Sequence, residues 1–275
     1  IVGEIMPELP EVETVRQTLR QFILDEEILG IDVYYDKIIN GDTNEFVNRL
    51  THQTIREIDR YGKYLIFLLD EDAFVSHLRM EGKYHIVDSH EPVDKHTHVV
   101  FHLKNHRDLR YIDTRKFGRM ELTDLYHYRE LEPLKKLGKE PFDISDEELY
   151  ALLHKTSLPI KSALLDQSIM CGIGNIYANE ICFLMKIDPR TKASRLSKKR
   201  VHELRNIAIE VLKSAIAQGG TTIHSFDANG IHGLFQVKLN VHVQKICPVC
   251  QGAIKKIVVN QRGTYYCPHC QKRRY

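Results

Sequence analysis

The sequence predicts an α+β protein: an N-terminal leading helix plus an antiparallel β-sandwich, then a C-terminal helical domain and a small cysteine ribbon. Three observations predict it. An apolar stripe of helical period opens the chain, a long series of short β-rich segments follows, and helical patterns then give way to two C-x-x-C pairs.

In the first element, Val12, Val15, Leu19, Phe22 and Ile23 recur at helical spacing. Glu8 and Glu11 stand at its start, where the helix dipole favours acids. From about Ile28 to Leu122 the segments IREIDRYGKYLIFLL, AFVSHLRM, KYHIVD, HTHVVFHL and LRYIDTRKFGRMEL are separated by turn residues, the pattern of an antiparallel sandwich. A connector runs from about Leu125 to Pro141, rich in Lys and Glu and carrying Pro133. Helices are expected over Asp146 to His154, Lys161 to Gln167, Asn175 to Lys186 and Ser197 to Gln218, with Ser197 as the N-cap of the last. No internal repeat or low-complexity segment points to a solenoid.

At 275 residues and 43% hydrophobic, the chain can bury substantial cores and is more comfortable as two modest domains than as one. Its longest apolar runs, such as Tyr64 to Leu69, fall far short of the roughly 20 residues of a membrane span, and no charged segment leads into an apolar one at the start. The expectation is a cytoplasmic protein with no membrane partner. The net charge of +2 is unevenly placed. From Ala228 to Tyr275 there is no acid, while Lys238, Lys245, Lys255, Lys256, Arg262, Lys272, Arg273 and Arg274 give eight positive charges. The rest holds 31 basic against 37 acidic residues, a net of −6. A one-signed tail is either a solvated basic surface or the footprint of a polyanionic partner, because Lys and Arg neutralising phosphate supply most non-specific nucleic-acid affinity.

Of six cysteines, Cys247, Cys250, Cys267 and Cys270 form C-x-x-C pairs at the spacing of a zinc ribbon. Four thiolates would close a tetrahedral site around one structural Zn2+ with no open position for chemistry. Two disulfides are the alternative and would need an oxidising compartment, which nothing else suggests. Cys171 and Cys182 read as small buried residues.

The string Met6-Pro7-Glu8-Leu9-Pro10-Glu11-Val12-Glu13 closely resembles the start of formamidopyrimidine-DNA glycosylases. It is joined, in the family's order, by RYGKYL around Lys63, HLRMEGK from His77 to Lys83, DTRKFG from Asp113 to Gly118, LLDQ with GIGNIY from Leu164 to Tyr177, and NQRGTYYC on the ribbon. Together these cover nearly the whole chain from Met6. The resemblance implies a base-excision enzyme that removes oxidised purines, 8-oxoguanine and formamidopyrimidines, and then cuts the strand by β,δ-elimination. Its partner would be duplex DNA containing oxidised bases or abasic sites, bound by a monomer in a cleft between its halves. It divides the chain into an extension over 1–6, a catalytic sandwich over 7–135, a helix-two-turns-helix domain over 136–235 and a zinc ribbon over 236–275.

By the same resemblance Pro7 is the amine nucleophile once Met6 is removed, and Glu8 shuttles protons at the sugar. Lys63 and Arg262 grip phosphates flanking the lesion, and Asn175 opens a helix after Gly172 and Gly174 whose N-terminal amides meet another. Met80 is the wedge that fills the space of the expelled base, Arg115 reads the widowed cytosine, and Phe117 props the neighbouring pair apart. Lys161 orients the strand near the lesion. His98, with His96, either contacts phosphate or is an ordinary strand residue; a lone H-x-H is weak evidence for metal. Read one at a time, Pro7 is a first-turn proline, Met80 and Phe117 are sandwich core, and the basic residues are plain surface.

Departures fall in GGTTIHSFDANGIHGLFQVKLNVHVQKICPVC. His224 stands where an arginine is common, HVQ replaces YGR, and the approach to Cys247 is about two residues short, which bears on lesion preference. The rival readings are an endonuclease VIII-like enzyme for oxidised pyrimidines and a non-catalytic damaged-DNA binder. HLRMEG and RKFG favour the purine branch. Ile1 to Ile5 have no counterpart in the resemblance and begin without Met, so they read as non-native. With them in place, the Pro7 nitrogen is a tertiary amide with no lone pair to attack C1′.

Overall fold

A computed structural model describes residues 6–219 and 239–273. The readings made on Ile1 to Ile5, on His224 and most of its surrounding stretch, and on Lys238 and Arg274 lie outside the described residues. The chain separates into two compact units, one built on residues 6–135 and the other on 136–218 with 239–273.

The first unit opens with α1 (Leu9–Ile23). Glu8 is its N-cap in extended backbone, the Glu8 N–H donates to Glu11 Oε2 at 2.9 Å, and Pro10 occupies the first turn, where its missing N–H costs nothing. Eight strands follow: β1 (Ile28–Val33), β2 (Glu57–Tyr61), β3 (Tyr64–Leu68), β4 (Ala73–His77), β5 (Lys83–Asp88), β6 (Thr97–Leu103), β7 (Arg107–Ile112) and β8 (Arg119–Thr123). They form two antiparallel four-stranded sheets, ordered β1-β6-β7-β5 and β2-β3-β4-β8. Val12, Val15, Leu19 and Ile23 of α1 join one continuous core with both sheets, and Phe22 packs at its margin. Its centre is aromatic: Phe74 stacks on Phe67 at 4.4 Å between centroids and on Phe101 of the other sheet at 5.5 Å.

One helix inside this region corrects the reading of Ile28 to Leu122 as strands throughout. Asp42 caps α2 (Thr43–Leu50) by accepting the Glu45 N–H at 2.8 Å, and Phe46 meets Phe74 edge-on at 5.4 Å. Eight residues with only Phe46, Val47 and Leu50 apolar give too little periodicity to stand out.

The second unit carries α3 (Asp146–Lys155), α4 (Ile160–Leu165), α5 (Asn175–Leu184) and α6 (Lys198–Ala217), then the hairpin β9 (Lys255–Val259) and β10 (Arg262–Tyr266). The four expected helices are present, and Ser197 does cap α6, accepting from Arg200 N. Helix α4 is shorter than expected. It ends before Gln167, whose side chain clamps the next turn by donating to Leu165 O and Ile173 O and accepting from Gly172 N. Among the described residues no helix is long and apolar enough to cross a membrane.

Candidate functional site

In the first unit one network joins Pro7 and Glu8 at one end to Lys63 at the other. Pro7 is half-buried and Glu8 is 2% exposed, at the N-terminus of α1, where the dipole stabilises a carboxylate. Lys63 lies in the two-residue turn between β2 and β3, flanked by the paired Tyr61 and Tyr64. Glu13 links the two. Its carboxylate accepts from Arg16 at 2.6 Å and from Arg60 Nε at 2.9 Å, and Arg60 also donates to Gly62 O at 3.0 Å. Burial alone would raise the Glu13 pKa, but hydrogen bonds from Arg16, Arg60 and Gln17 outweigh it and hold the carboxyl below its ordinary range. The helix start and the Lys63 turn are therefore tied by a paired, partly buried charge. Nearby, His77 is pushed down to about 3 by burial and by the positive charges of Arg79 and Lys63, so its ring is neutral in an electropositive environment.

Two loops project from the sandwich. The β4–β5 loop holds Arg79 and Met80, with the Arg79 N–H donating to His77 Nδ1 at 2.9 Å. The β7–β8 loop holds Arg115 and Phe117, whose ring lies 4.8 Å from the guanidinium carbon of Arg115. Phe117 is 47% exposed and Met80 half-exposed, so neither is the core residue that its type alone would suggest. Asp113, fully buried, organises the second loop. Its Oδ1 accepts from Arg115 N at 2.9 Å, and its Oδ2 accepts from Phe117 N at 2.9 Å and Gly118 N at 2.8 Å.

Two of the residues expected to contact DNA, His98 and Lys161, are buried and hydrogen-bonded within the protein. His98 is 3% exposed, its Nε2–H donates to Asp113 O at 2.7 Å, and its ring packs against Tyr35, so it supports the Arg115 loop from below and does not face solvent. Strand β6 is buried on both faces along most of its length, so alternation could not sort His98 from His96, which is half-exposed. Lys161 is 1% exposed, and its Nζ donates to Gly263 O at 2.9 Å and Thr264 Oγ1 at 2.6 Å. The ammonium thereby helps to hold the β9–β10 hairpin.

That hairpin presents Arg262, exposed, just past a turn at Asn260 and Gln261, both at positive φ. Asn175 is the first residue of α5, with Gly174 as N-cap. Its Oδ1 is buried with no hydrogen-bond partner among the described residues. Sequence reading missed Glu180. Its carboxylate accepts from Asn240 N, Asn240 Nδ2, Val241 N and His242 N at 2.7–2.9 Å and so fixes the approach to the ribbon. An acid in the middle of the apolar α5 sequence was the available signal.

The four ribbon thiols lie within 4.8 Å of one another, with Cys247···Cys270 at 3.8 Å and Cys250···Cys267 at 3.5 Å. A zinc tetrahedron with Zn–S of about 2.3 Å requires S···S edges of about 3.8 Å, so the thiols fit. The spacing also exceeds that of a disulfide, whose sulfurs are about 2.05 Å apart.

Three family sequence models match this chain: the formamidopyrimidine-DNA glycosylase N-terminal domain over residues 6–120, its H2TH domain over 137–227, and the zinc finger found in FPG and IleRS over 245–273. The formamidopyrimidine-DNA glycosylase of Oceanobacillus iheyensis is 46% identical, with 97% of this chain and 98% of that protein covered. The chain belongs to the formamidopyrimidine-DNA glycosylase family. The Listeria innocua formamidopyrimidine-DNA glycosylase is 42% identical over 97% of this chain and 100% of that one. The Lactococcus lactis Fpg (MutM), solved in complex with DNA containing N7-benzyl-Fapy-dG, matches with a TM-score of 0.91 at 38% identity, covering 97% of this chain and 100% of that one. The same protein solved with abasic-site DNA matches at 0.90 and 37%, with the same coverage. With the family's zinc finger matched and the thiols at tetrahedral spacing, the ribbon is a site for one zinc ion. All four positions are filled by cysteine sulfur, so the ion is structural and holds the hairpin that bears Arg262.

Proposed function

We propose that this chain, as a member of a DNA glycosylase repair family, excises oxidised purines such as 8-oxoguanine and formamidopyrimidines from duplex DNA and then cleaves the backbone. The observation that carries the reading is the Glu13–Arg60–Gly62 network, which joins the Pro7–Glu8 helix start to the Lys63 turn. An amine, a proton carrier and a phosphate-binding cation are thereby held on one rigid sandwich. The Lactococcus lactis complexes with Fapy-dG and abasic-site DNA support the substrate class.

The chemistry follows from an amine at Pro7 that has been freed from Met6. Its lone pair attacks C1′, the bond from C1′ to the base breaks with its electrons leaving on the base, and the base is protonated. The attached amine then loses its proton, and the C1′–O4′ bond breaks with its electrons leaving on O4′, which takes a proton; the cationic iminium so formed between C1′ and the Pro7 nitrogen is an electron sink. Loss of a C2′ proton expels the 3′ phosphate, and a second elimination expels the 5′ phosphate. Glu8 moves protons at the sugar, while Lys63 and Arg262 hold the flanking phosphates. Met80 and Phe117 occupy the space left by the extruded base, and Arg115 faces the opposite cytosine. Residues 7–135 would form the catalytic domain, 136–235 the helix-two-turns-helix domain and 236–275 the ribbon, in a monomer working on DNA in the cytoplasm.

Single-turnover cleavage of three duplexes by the chain beginning at Pro7 tests the reading: 8-oxoguanine opposite cytosine, thymine glycol, and an abasic site. The first should be processed much faster than the second. The reverse order would place the chain with oxidised-pyrimidine enzymes, and binding without cleavage of any would make it a damage binder. On the same duplexes, Met80→Ala and Phe117→Ala should each slow release of 8-oxoguanine by roughly ten- to a hundredfold. Cutting at the abasic site should change little, because unstacking a base costs a few kcal/mol and an abasic nucleotide has none to unstack. Equal losses on both would mean a folding defect.

A further inference from the structure

The two loops that carry Met80 and Phe117 are separate crossings between the two sheets, β4 to β5 and β7 to β8, yet both close on one side chain. Tyr111, the penultimate residue of β7, is fully buried, and its hydroxyl lies between Gly82 and Gly118, the glycines that end the HLRMEG and RKFG segments. A Cβ at either position would overlap Tyr111 Oη, so both backbones approach the phenol as closely as only glycine permits. Gly82 N also donates to Leu78 O at 2.9 Å, and Gly118 N to Asp113 Oδ2 at 2.8 Å, which closes each loop onto its own base. Tyr111 Oη is 3.5 Å from the same Asp113 Oδ2. At the outer end, Thr114 Oγ1 hydrogen-bonds Glu81 Oε2, one residue from Met80. The loops are thus joined twice, once through a buried phenol and once through an exposed hydroxyl–carboxylate bond.

We infer that Tyr111 is a positioning residue that couples the two loops, so that Met80 and Phe117 enter the helix as one rigid unit. The inference rests on the void-filling reading of those two residues given above. Intercalation favours such a link. Two wedges that move independently each lose side-chain and loop freedom on insertion, whereas a pre-joined pair has already lost it in the free protein. Misplacement by about 1 Å at a reacting or inserting group can cost about a hundredfold, so a spacer one oxygen thick matters.

The test is Tyr111→Phe, which keeps the ring and its edge contact with Tyr84 and removes only the spacer oxygen. Amide exchange at Gly82 and Gly118 is measured together with single-turnover cleavage of 8-oxoguanine and preformed abasic duplexes, all in chains beginning at Pro7, with the unsubstituted form and Met80→Ala as references. Expected is faster exchange at both glycines, excision slowed about tenfold, abasic-site cutting within about twofold, and a melting temperature close to that of the unsubstituted chain. Thr114→Val, at the exposed link, should act in the same direction with a roughly fivefold loss, and it keeps the test open if Tyr111→Phe does not fold. Faster exchange at one glycine only, or at neither, would show that Tyr111 couples nothing. Loosening of both loops with excision untouched would overturn the positioning role. If Met80→Ala were then also without effect, the void-filling reading itself would fall, whereas a selective loss in Met80→Ala alone would leave that reading standing and remove only the pin.

Discussion

In a chain that begins at Pro7, Glu8→Gln should lower the single-turnover rate of 8-oxoguanine release by about 10²- to 10⁴-fold, the range general acid–base catalysis contributes. The substitution isolates the proton. Gln keeps an acceptor oxygen at the N-cap of α1, and the capping bond from the Glu8 N–H to Glu11 does not involve the side chain at residue 8. Melting temperature and duplex affinity should therefore stay close to those of the parent. Glu8 also lies where a carboxylate is favoured by the helix dipole, which suits a group that must be ionised to accept a proton. A rate reduced less than about tenfold would remove Glu8 from the chemistry, and a matching fall in stability would mean that its carboxylate is structural.

The second large effect concerns the ribbon. Cys267→Ser should reduce zinc below one equivalent per chain by elemental analysis, because three remaining thiolates leave an open and weaker site. Duplex affinity should fall by roughly 30-fold or more, since displacing a charged contact such as Arg262 from phosphate costs about 2–5 kcal/mol. Helix and strand content should survive. The ribbon's core is a small cluster of Phe183, Val241, Cys247 and Cys267, whereas the sandwich has a large core of its own. Full zinc content with full affinity would contradict the ribbon's proposed part in binding, and collapse of the whole fold would contradict its confinement to the ribbon.

How far the sequence was legible depended on whether a feature was local. The leading helix, the Ser197 cap and the cysteine pairs are written in neighbouring residues, and they appear in the structure as read. Helix α2 was hidden because it shows only one short apolar face, while its Phe46 is committed to a core assembled from strands far along the chain. His98 and Lys161 look like surface contacts by type, and only tertiary structure reveals what satisfies them. The partner of His98 is a carbonyl 15 residues away, and those of Lys161 lie more than 100 residues on, across the hairpin. A buried lysine needs such partners, and no local pattern announces them. Tyr111 and Asp113 were overlooked for the opposite reason: the recognisable residues beside them, Arg115 and Phe117, drew the functional reading, while the groups that place those residues lie underneath.

The central claim is that the Pro7 nitrogen attacks the sugar, and borohydride trapping on a duplex with 8-oxoguanine opposite cytosine tests it most directly. Two chains are compared, one beginning at Pro7 and one in which residues 1–6 precede it. The first should give a reduced covalent adduct that peptide mapping places on Pro7. The second, whose Pro7 nitrogen is an amide, should bind the duplex and give none. Efficient trapping through another amine, or failure of the chain beginning at Pro7 to trap at all, would contradict the claim.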